Sequence, residues 1–378
     1  MQKKIKILCP NIELGNDEVR QIVKPGIMNS DKCELVLSSF FGSRLIEKSD
    51  MANEFKQNGG LWFGPSTMKH LQPRLGTYTE NLPDGRLAEP LWIPYEEDDI
   101  DVVLLHGSGN QDKFKSIAEH YKHVPVINID YKDVPIEKMF VEILNRNNVF
   151  NFKRSMVKLN TKNRDDKALV KYPYNVHHTA FCVREDILEQ QKMINKRYHD
   201  RQLDLACFFP PIAGDQWNRN AACRTWIGSV TEQYSESLNV YVGYTHDKKT
   251  SPQEEGRQGH DIDKPGSTVN KYIQTMNDSK IIITACPGNY EGDYRLMESM
   301  TSGALVMHNK MLLPPHGLIE DKHWVVYNSV EDLEEKITYY TNNPGKAAKI
   351  ANDGRKFVLE NHRPHHRVEQ WLKVAGLL

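Results

Sequence analysis

The chain has 378 residues, more than a single core ordinarily organises and enough for two α/β domains. Hydrophobic residues are 39% and charged residues 26%, and 49 basic against 50 acidic side chains leave a formal net charge of −1. This balance argues against a protein held to nucleic acid by bulk charge, and no apolar run approaches the about 20 residues that span a bilayer.

In chain order, residues 4–9 read as a first strand, entered with no secretory apolar region, and 34–38 as a second. The stretch 53–97 is rich in Gly, Pro and Asn and reads as irregular. Residues 101–106 (Asp-Val-Val-Leu-Leu-His) are a continuous apolar run ending in Gly107-Ser108-Gly109-Asn110, the pattern of a buried parallel strand entering a loop. A helix over 112–121, a strand over 124–129 and a helix over 136–145 follow. A second series begins at 203–209 (strand) and continues with a helix within 220–234, a strand at 238–243 and a polar loop at 245–266. A helix at 269–276, a strand at 280–285, a helix at 294–302 and strands at 304–308 and 324–327 come next. Helices at 331–340, 346–360 and 368–378 close the chain. The β-α-β rhythm in both halves predicts two Rossmann-like domains, each with a parallel sheet, enclosing a cleft between them.

Cys9, Cys33, Cys182, Cys207, Cys223 and Cys286 form no C-x-x-C pair and read as reduced thiols of a cytoplasmic protein. His177-His178 and His365-His366 are adjacent pairs whose side chains diverge, and no H-E-x-x-H spacing occurs, so no metal is expected.

Residues 286–303 carry the most chemistry. A buried strand spills into Pro287-Gly288, and a helix starts around Gly292-Asp293 with Tyr294 following. Amides at a helix start carry partial positive charge and suit a diphosphate. Gly292 admits close backbone approach, Arg295 can clamp phosphate, and Glu298 on the same face can accept from ribose hydroxyls. The same residues also fit a plain surface: Arg295 and Glu298 as an i, i+3 ion pair, Asp293 as an N-cap.

This run resembles the donor motif of GT-B glycosyltransferases, the group-1-like, spore-maturation-protein and exostosin-like relatives, in which a helix bearing Arg and Glu ends in a small-residue Gly turn. Tyr272 to Lys280 resembles the segment preceding that motif, and Gly303-Ala304-Leu305-Val306 its exit strand. Six residues separate Glu291 from Glu298, one fewer than in the group-1 pattern, so the ribose role carries to Glu298 and that of the first glutamate stays open for Glu291. Phe150-Asn151-Phe152-Lys153-Arg154 resembles the Phe-Lys-Arg motif ending the first domain in those relatives. Lys171-Tyr172-Pro173-Tyr174 resembles the linker, and 203–209 with Arg219 and Arg224 the first strand and loop of the donor domain.

The resemblance implies an acceptor domain over 1–175, a linker over 176–200, a nucleotide-sugar domain over 201–360 and a terminal helix over 361–378 packing back on the first domain. It implies a metal-independent glycosyltransferase with no cofactor, moving a sugar from a nucleotide-diphosphate sugar to a hydroxyl acceptor such as a glycan. Gly292, Asp293, Tyr294, Arg295, Glu298, Lys153, Arg154, Arg219 and Arg224 are the candidate donor contacts. An inverting reaction needs a general base on the first domain, and His106 at its strand end comes first, then Asp130 and Asp133. Asp130 and Asp133 lie at i, i+3, not at the D-x-D spacing of a metal site. Two rival readings are a glucosyltransferase acting on modified bases in DNA, given Lys69, Arg74 and Arg86, and a non-catalytic nucleotide-sugar-binding protein. An oxidoreductase is disfavoured because no G-x-G-x-x-G follows the first strand.

Overall fold

The computed structural model describes residues 3–9, 19–36, 100–106, 121–131, 146–159, 167–172, 176–209, 222–243, 269–286 and 291–378. The helix expected over 136–145, that over 112–121 except Tyr121, the stretch 53–97, and the loops 107–110, 245–266 and 287–290 lie outside these residues.

The first half builds a six-stranded sheet from β1 (Ile5–Leu8), β2 (Cys33–Val36), β3 (Val102–His106), β4 (Val126–Asp130), β5 (Val149–Lys153) and β8 (Val176–His178). Their order is β2-β1-β3-β4-β5-β8, and every pairing is parallel. β4 (Val-Ile-Asn-Ile-Asp) is buried along its whole length, and its buried Asn128 donates to Asn151 Oδ1 of β5 at 3.2 Å. β6 (Val157–Leu159) and β7 (Lys167–Leu169) form a separate small antiparallel ribbon. A helical turn at Val19–Val23 leads into α1 (Lys24–Met28).

After β8 the chain passes into α2 (Glu185–Met193), within the segment expected as a linker. The second sheet comprises β9 (Leu203–Cys207), β10 (Val240–Val242), β11 (Ser279–Thr284), β12 (Leu305–Asn309) and β13 (Val325–Tyr327). It is also parallel, in the order β10-β9-β11-β12-β13. Its helices are α3 (Ala222–Glu232), α4 (Val269–Asp278), α5 (Tyr294–Thr301), α6 (Val330–Asn342) and α7 (Pro344–Asn361). Ser329 caps α6 by accepting from the Asp332 amide, and Leu333, Ile337 and Tyr340 bury the face that the spacing predicts. In both sheets the direction of strand succession reverses beside the first strand, between β1 and β3 and between β9 and β11. Ligands of open parallel sheets bind at such points, outside the carboxyl ends of the strands.

The last helix, α8 (Pro364–Val374), packs on the first domain. Val368, Trp371 and Leu372 are buried in one cluster with Ile22, Ile27 and Phe152. The Trp371 Nε1 donates to Thr179 Oγ1 at 3.1 Å. Gly26 of α1 makes the approach possible: a Cβ there would lie 2.5 Å from Val368 Cγ2 and 2.7 Å from the Pro364 carbonyl oxygen. The return of the terminal helix, anticipated above, is therefore a matter of shape as much as of apolar area.

Candidate active site

The site forms where β11 ends and α5 begins. Beyond Thr284 the described chain runs through Ala285 and Cys286 and resumes at Glu291, Gly292 and Asp293. Gly292 has φ +78°, a left-handed conformation that favours glycine. Its amide donates to Cys286 Sγ at 3.1 Å, while the Cys286 amide donates to Asn309 Oδ1 at 2.8 Å, tying the turn to the end of β12. Asp293 is the N-cap of α5 and accepts from the Leu296 amide at 3.2 Å. The buried Glu291 carboxylate accepts from the Leu312 and Leu313 amides at 2.9 Å, so this glutamate joins the α5 entry to the segment after β12.

Glu298 is buried one turn into α5, and its ion-pair partner is Arg184, at 3.4 Å, not Arg295. Tyr272 of α4 donates its hydroxyl to the other carboxylate oxygen at 2.8 Å. Burial raises the Glu298 pKa, against the opposing pull of Arg184, Tyr272 and Arg295. For Arg184, burial disfavours the charge, but Glu298 and Asp186 outweigh it and the pKa rises. Tyr272, enclosed and facing Glu298, is pushed well above its ordinary value. Arg295 takes a different course: its guanidinium stacks over Phe209, just past the end of β9, 4.2 Å from the ring centroid. Its Nε is buried without a hydrogen-bond partner. Arg295 thus sits where the second sheet reverses strand order, beside the carboxyl ends of β9 and β11.

Across the cleft, Arg154 at the end of β5 donates from NH1 to the Gly292 carbonyl at 2.8 Å and to that of Glu291 at 3.3 Å. Its Nε donates to the Tyr131 carbonyl, and its guanidinium lies over Phe181 at 4.8 Å. Phe181 in turn packs on Tyr294, ring centroids 3.9 Å apart. Arg154 and Tyr294, both expected at the donor, therefore join the first domain to the α5 entry. Lys153 is fully buried and pairs with Asp130 at 2.9 Å. One expected donor contact and one expected base are thus engaged with each other inside the first domain. His106 is the last residue of β3, opposite Ile129 of β4; its side chain lies outside the described residues. Asp133 and Arg219 also lie outside them, as does the side chain of Arg224, which falls in α3.

Sequence reasoning did not single out Arg184, Phe181 or, as a site residue, His178. Arg184 and Glu298 are 114 positions apart, and no local pattern links them. His178 closes β8 and lines the interdomain cleft with Arg154, Phe181, Glu291, Gly292 and Asp293. Among the described residues no group of three or more His, Cys, Asp or Glu could hold a metal ion. The described cysteines, Cys9, Cys33, Cys182, Cys207 and Cys286, are buried. No described helix is long and apolar enough to cross a membrane.

Two parallel-sheet domains across a cleft, with the last helix returned to the first, are the architecture of the GT-B fold. Residues 251–373, which hold α4, α5 and the three strands beside them, match the glycosyl transferase-like family model. A glycosyltransferase from Rickettsia africae is similar over 99% of this chain and 98% of its own, at 13% identity and a TM-score of 0.50. Sucrose-phosphate synthase from Thermosynechococcus elongatus is similar at 10% identity, 98% of each chain and a TM-score of 0.44. HepE from Anabaena, solved in complex with UDP, is similar at 12% identity, 100% of each chain and a TM-score of 0.42. No curated protein matches the chain.

Proposed function

We propose that the protein transfers a sugar from a nucleoside diphosphate sugar to an acceptor hydroxyl, that of a glycan, without a metal ion. The observation that carries this reading is the placement of the α5 N-terminus. It opens at the carboxyl ends of β9 and β11 with its entry held by Cys286, Glu291 and Arg154, and with Arg295 beside it over Phe209. A fixed helix start and an adjacent guanidinium offset the charge that develops on a departing diphosphate without further reorganisation. The match of this region to a glycosyl transferase-like family supports the same reaction class.

A thermal-shift screen of uridine, guanosine, adenosine and cytidine diphosphates and their sugar esters tests the reading. A ligand at 100 times its Kd stabilises by about 2.7 kcal/mol, which raises the melting temperature by roughly 5–10 °C for domains of this size. At least one nucleotide is expected to do so, and its sugar ester to be cleaved on incubation. A screen in which nothing binds and nothing is cleaved overturns the proposal.

A further inference from the structure

We propose that His178 is the general base of the transfer, receiving the proton of the acceptor hydroxyl; the assignment rests on the glycosyl-transfer reading above. His178 is the last residue of β8, at the carboxyl end of the first sheet, the end where ligands of such sheets bind. It lines one cavity with Glu291, Gly292 and Asp293 of the α5 entry, so it faces the candidate donor site from the opposite domain. The space between the two sides is about 10 Å³, so they must part further for an acceptor oxygen to reach His178.

Among the other candidates on this sheet whose side chains are described, two are engaged elsewhere. Asp130 is paired with the buried Lys153, and His177 lies against Phe152 with its ring centroid 5.4 Å away. Among the described residues, neither ring nitrogen of His178 has a hydrogen-bond partner. The groups that face it are Arg154 at the end of β5, Arg367 from α8, Lys153 opposite it in strand register, and Glu291 and Asp293 from the α5 entry. Glu291 is held by backbone amides and Asp293 by its capping bond. Burial, then Arg367 and Arg154, lower the imidazole pKa to about 4, so the ring is neutral near pH 7 and able to accept a proton. A base that weak gains strength when the donor arrives, because the negative diphosphate entering beside Arg154 favours the imidazolium.

In the step, the acceptor oxygen bonds to the anomeric carbon as its proton passes to a free His178 nitrogen. The bond from that carbon to the diphosphate oxygen breaks, and its electron pair leaves with the nucleoside diphosphate. The imidazolium then returns its proton to solvent, and the anomeric configuration is inverted.

The test uses the full chain and whichever nucleotide sugar the screen identifies, with release of nucleoside diphosphate to water as the readout. His178→Asn is expected to lower kcat about 100-fold while the donor KM stays within about threefold, and to remove the acid limb of the kcat profile. His178→Gln serves as a second variant, with folding checked by circular dichroism. Independently of either variant, the wild-type imidazole nitrogens are titrated by NMR with and without bound UDP or GDP; the His178 pKa is expected to rise with nucleotide. Full kcat with an unchanged pH profile in a folded variant, or a pKa indifferent to bound nucleotide, overturns the assignment and leaves the transfer reading standing. A wild-type protein that neither binds nor cleaves any nucleotide sugar removes both.

Discussion

Replacing Glu298 by alanine is expected to destabilise the protein as well as to disable the candidate donor site. The substitution leaves the Tyr272 hydroxyl without its acceptor and Arg184 without its buried counter-charge. Breaking a buried ion pair from one side costs about 3–5 kcal/mol, and an orphaned buried hydroxyl about 1–3. Two facts reduce the sum. Arg184 keeps Asp186 at 2.7 Å, and the Glu298 carboxylate is itself disfavoured by burial, so removing it relieves that penalty. The net is about 2–4 kcal/mol, or a melting temperature lower by roughly 4–16 °C for a domain of this size. Glu298→Gln retains an acceptor for Tyr272 and loses only the charge, so the expected order of stability is wild type, Gln, then Ala. Differential scanning calorimetry on the three proteins gives the order directly. An Ala variant melting within about 1 °C of wild type, or below it by less than Gln, would refute the view that Glu298 is a joint of the fold. Loss of donor cleavage in the Ala variant bears on ribose binding only if the protein is folded at the assay temperature.

Arg154→Met removes the guanidinium that holds the Glu291 and Gly292 carbonyls; nucleotide affinity by calorimetry is expected to fall about tenfold, and unchanged affinity would contradict the tethering role. Gly292→Ala meets ordinary space, with Met311 Cε at 3.9 Å, but must hold φ +78°, so a loss of about 1–2 kcal/mol in urea unfolding is expected from strain alone. Gly26→Ala drives a methyl into Val368 and the Pro364 carbonyl, and the expected result is release of α8, read as faster proteolysis near the C-terminus. Burial holds the folded-state pKa values of His178 and His366 at about 4 and of His362 at about 3. Between pH 6.5 and about 4 the unfolded chain therefore binds protons that the folded protein does not, so stability falls as pH is lowered through that window. A urea midpoint that rises from pH 7 to pH 4.5 would contradict the sign.

The parts of the fold written in local pattern are readable in the sequence. The apolar runs at 101–106 and 280–285 correspond to β3 and β11, and Asp293 and Ser329 cap the helices they precede. The strand and the helix of the motif region fall where predicted, because each depends on neighbours in sequence. Roles depend on partners that are distant in the chain, and there the reading was incomplete. Arg295 and Glu298 invite pairing at i, i+3, yet the fold supplies Arg184 for one and Phe209 for the other. Lys153 and Arg154 are adjacent cations from a single motif, but strand alternation sends one to Asp130 and the other across the cleft to Gly292. Tyr272 and Lys280, read only as a preface to the motif, divide their work: the first holds Glu298 and the second pairs with Asp204 at 2.8 Å.

The seat of α8 has a consequence for how the protein is made. Val368, Trp371 and Leu372 complete a core that begins with Ile7 and Ile22, so of the two domains the one synthesised earlier is the later to close its interior. During synthesis its apolar face stays uncovered while the whole second domain is translated and folds. Until α8 arrives, that face is open to a chaperone or to another nascent copy, and a chain cut before Pro364 would have one finished half and one unsealed.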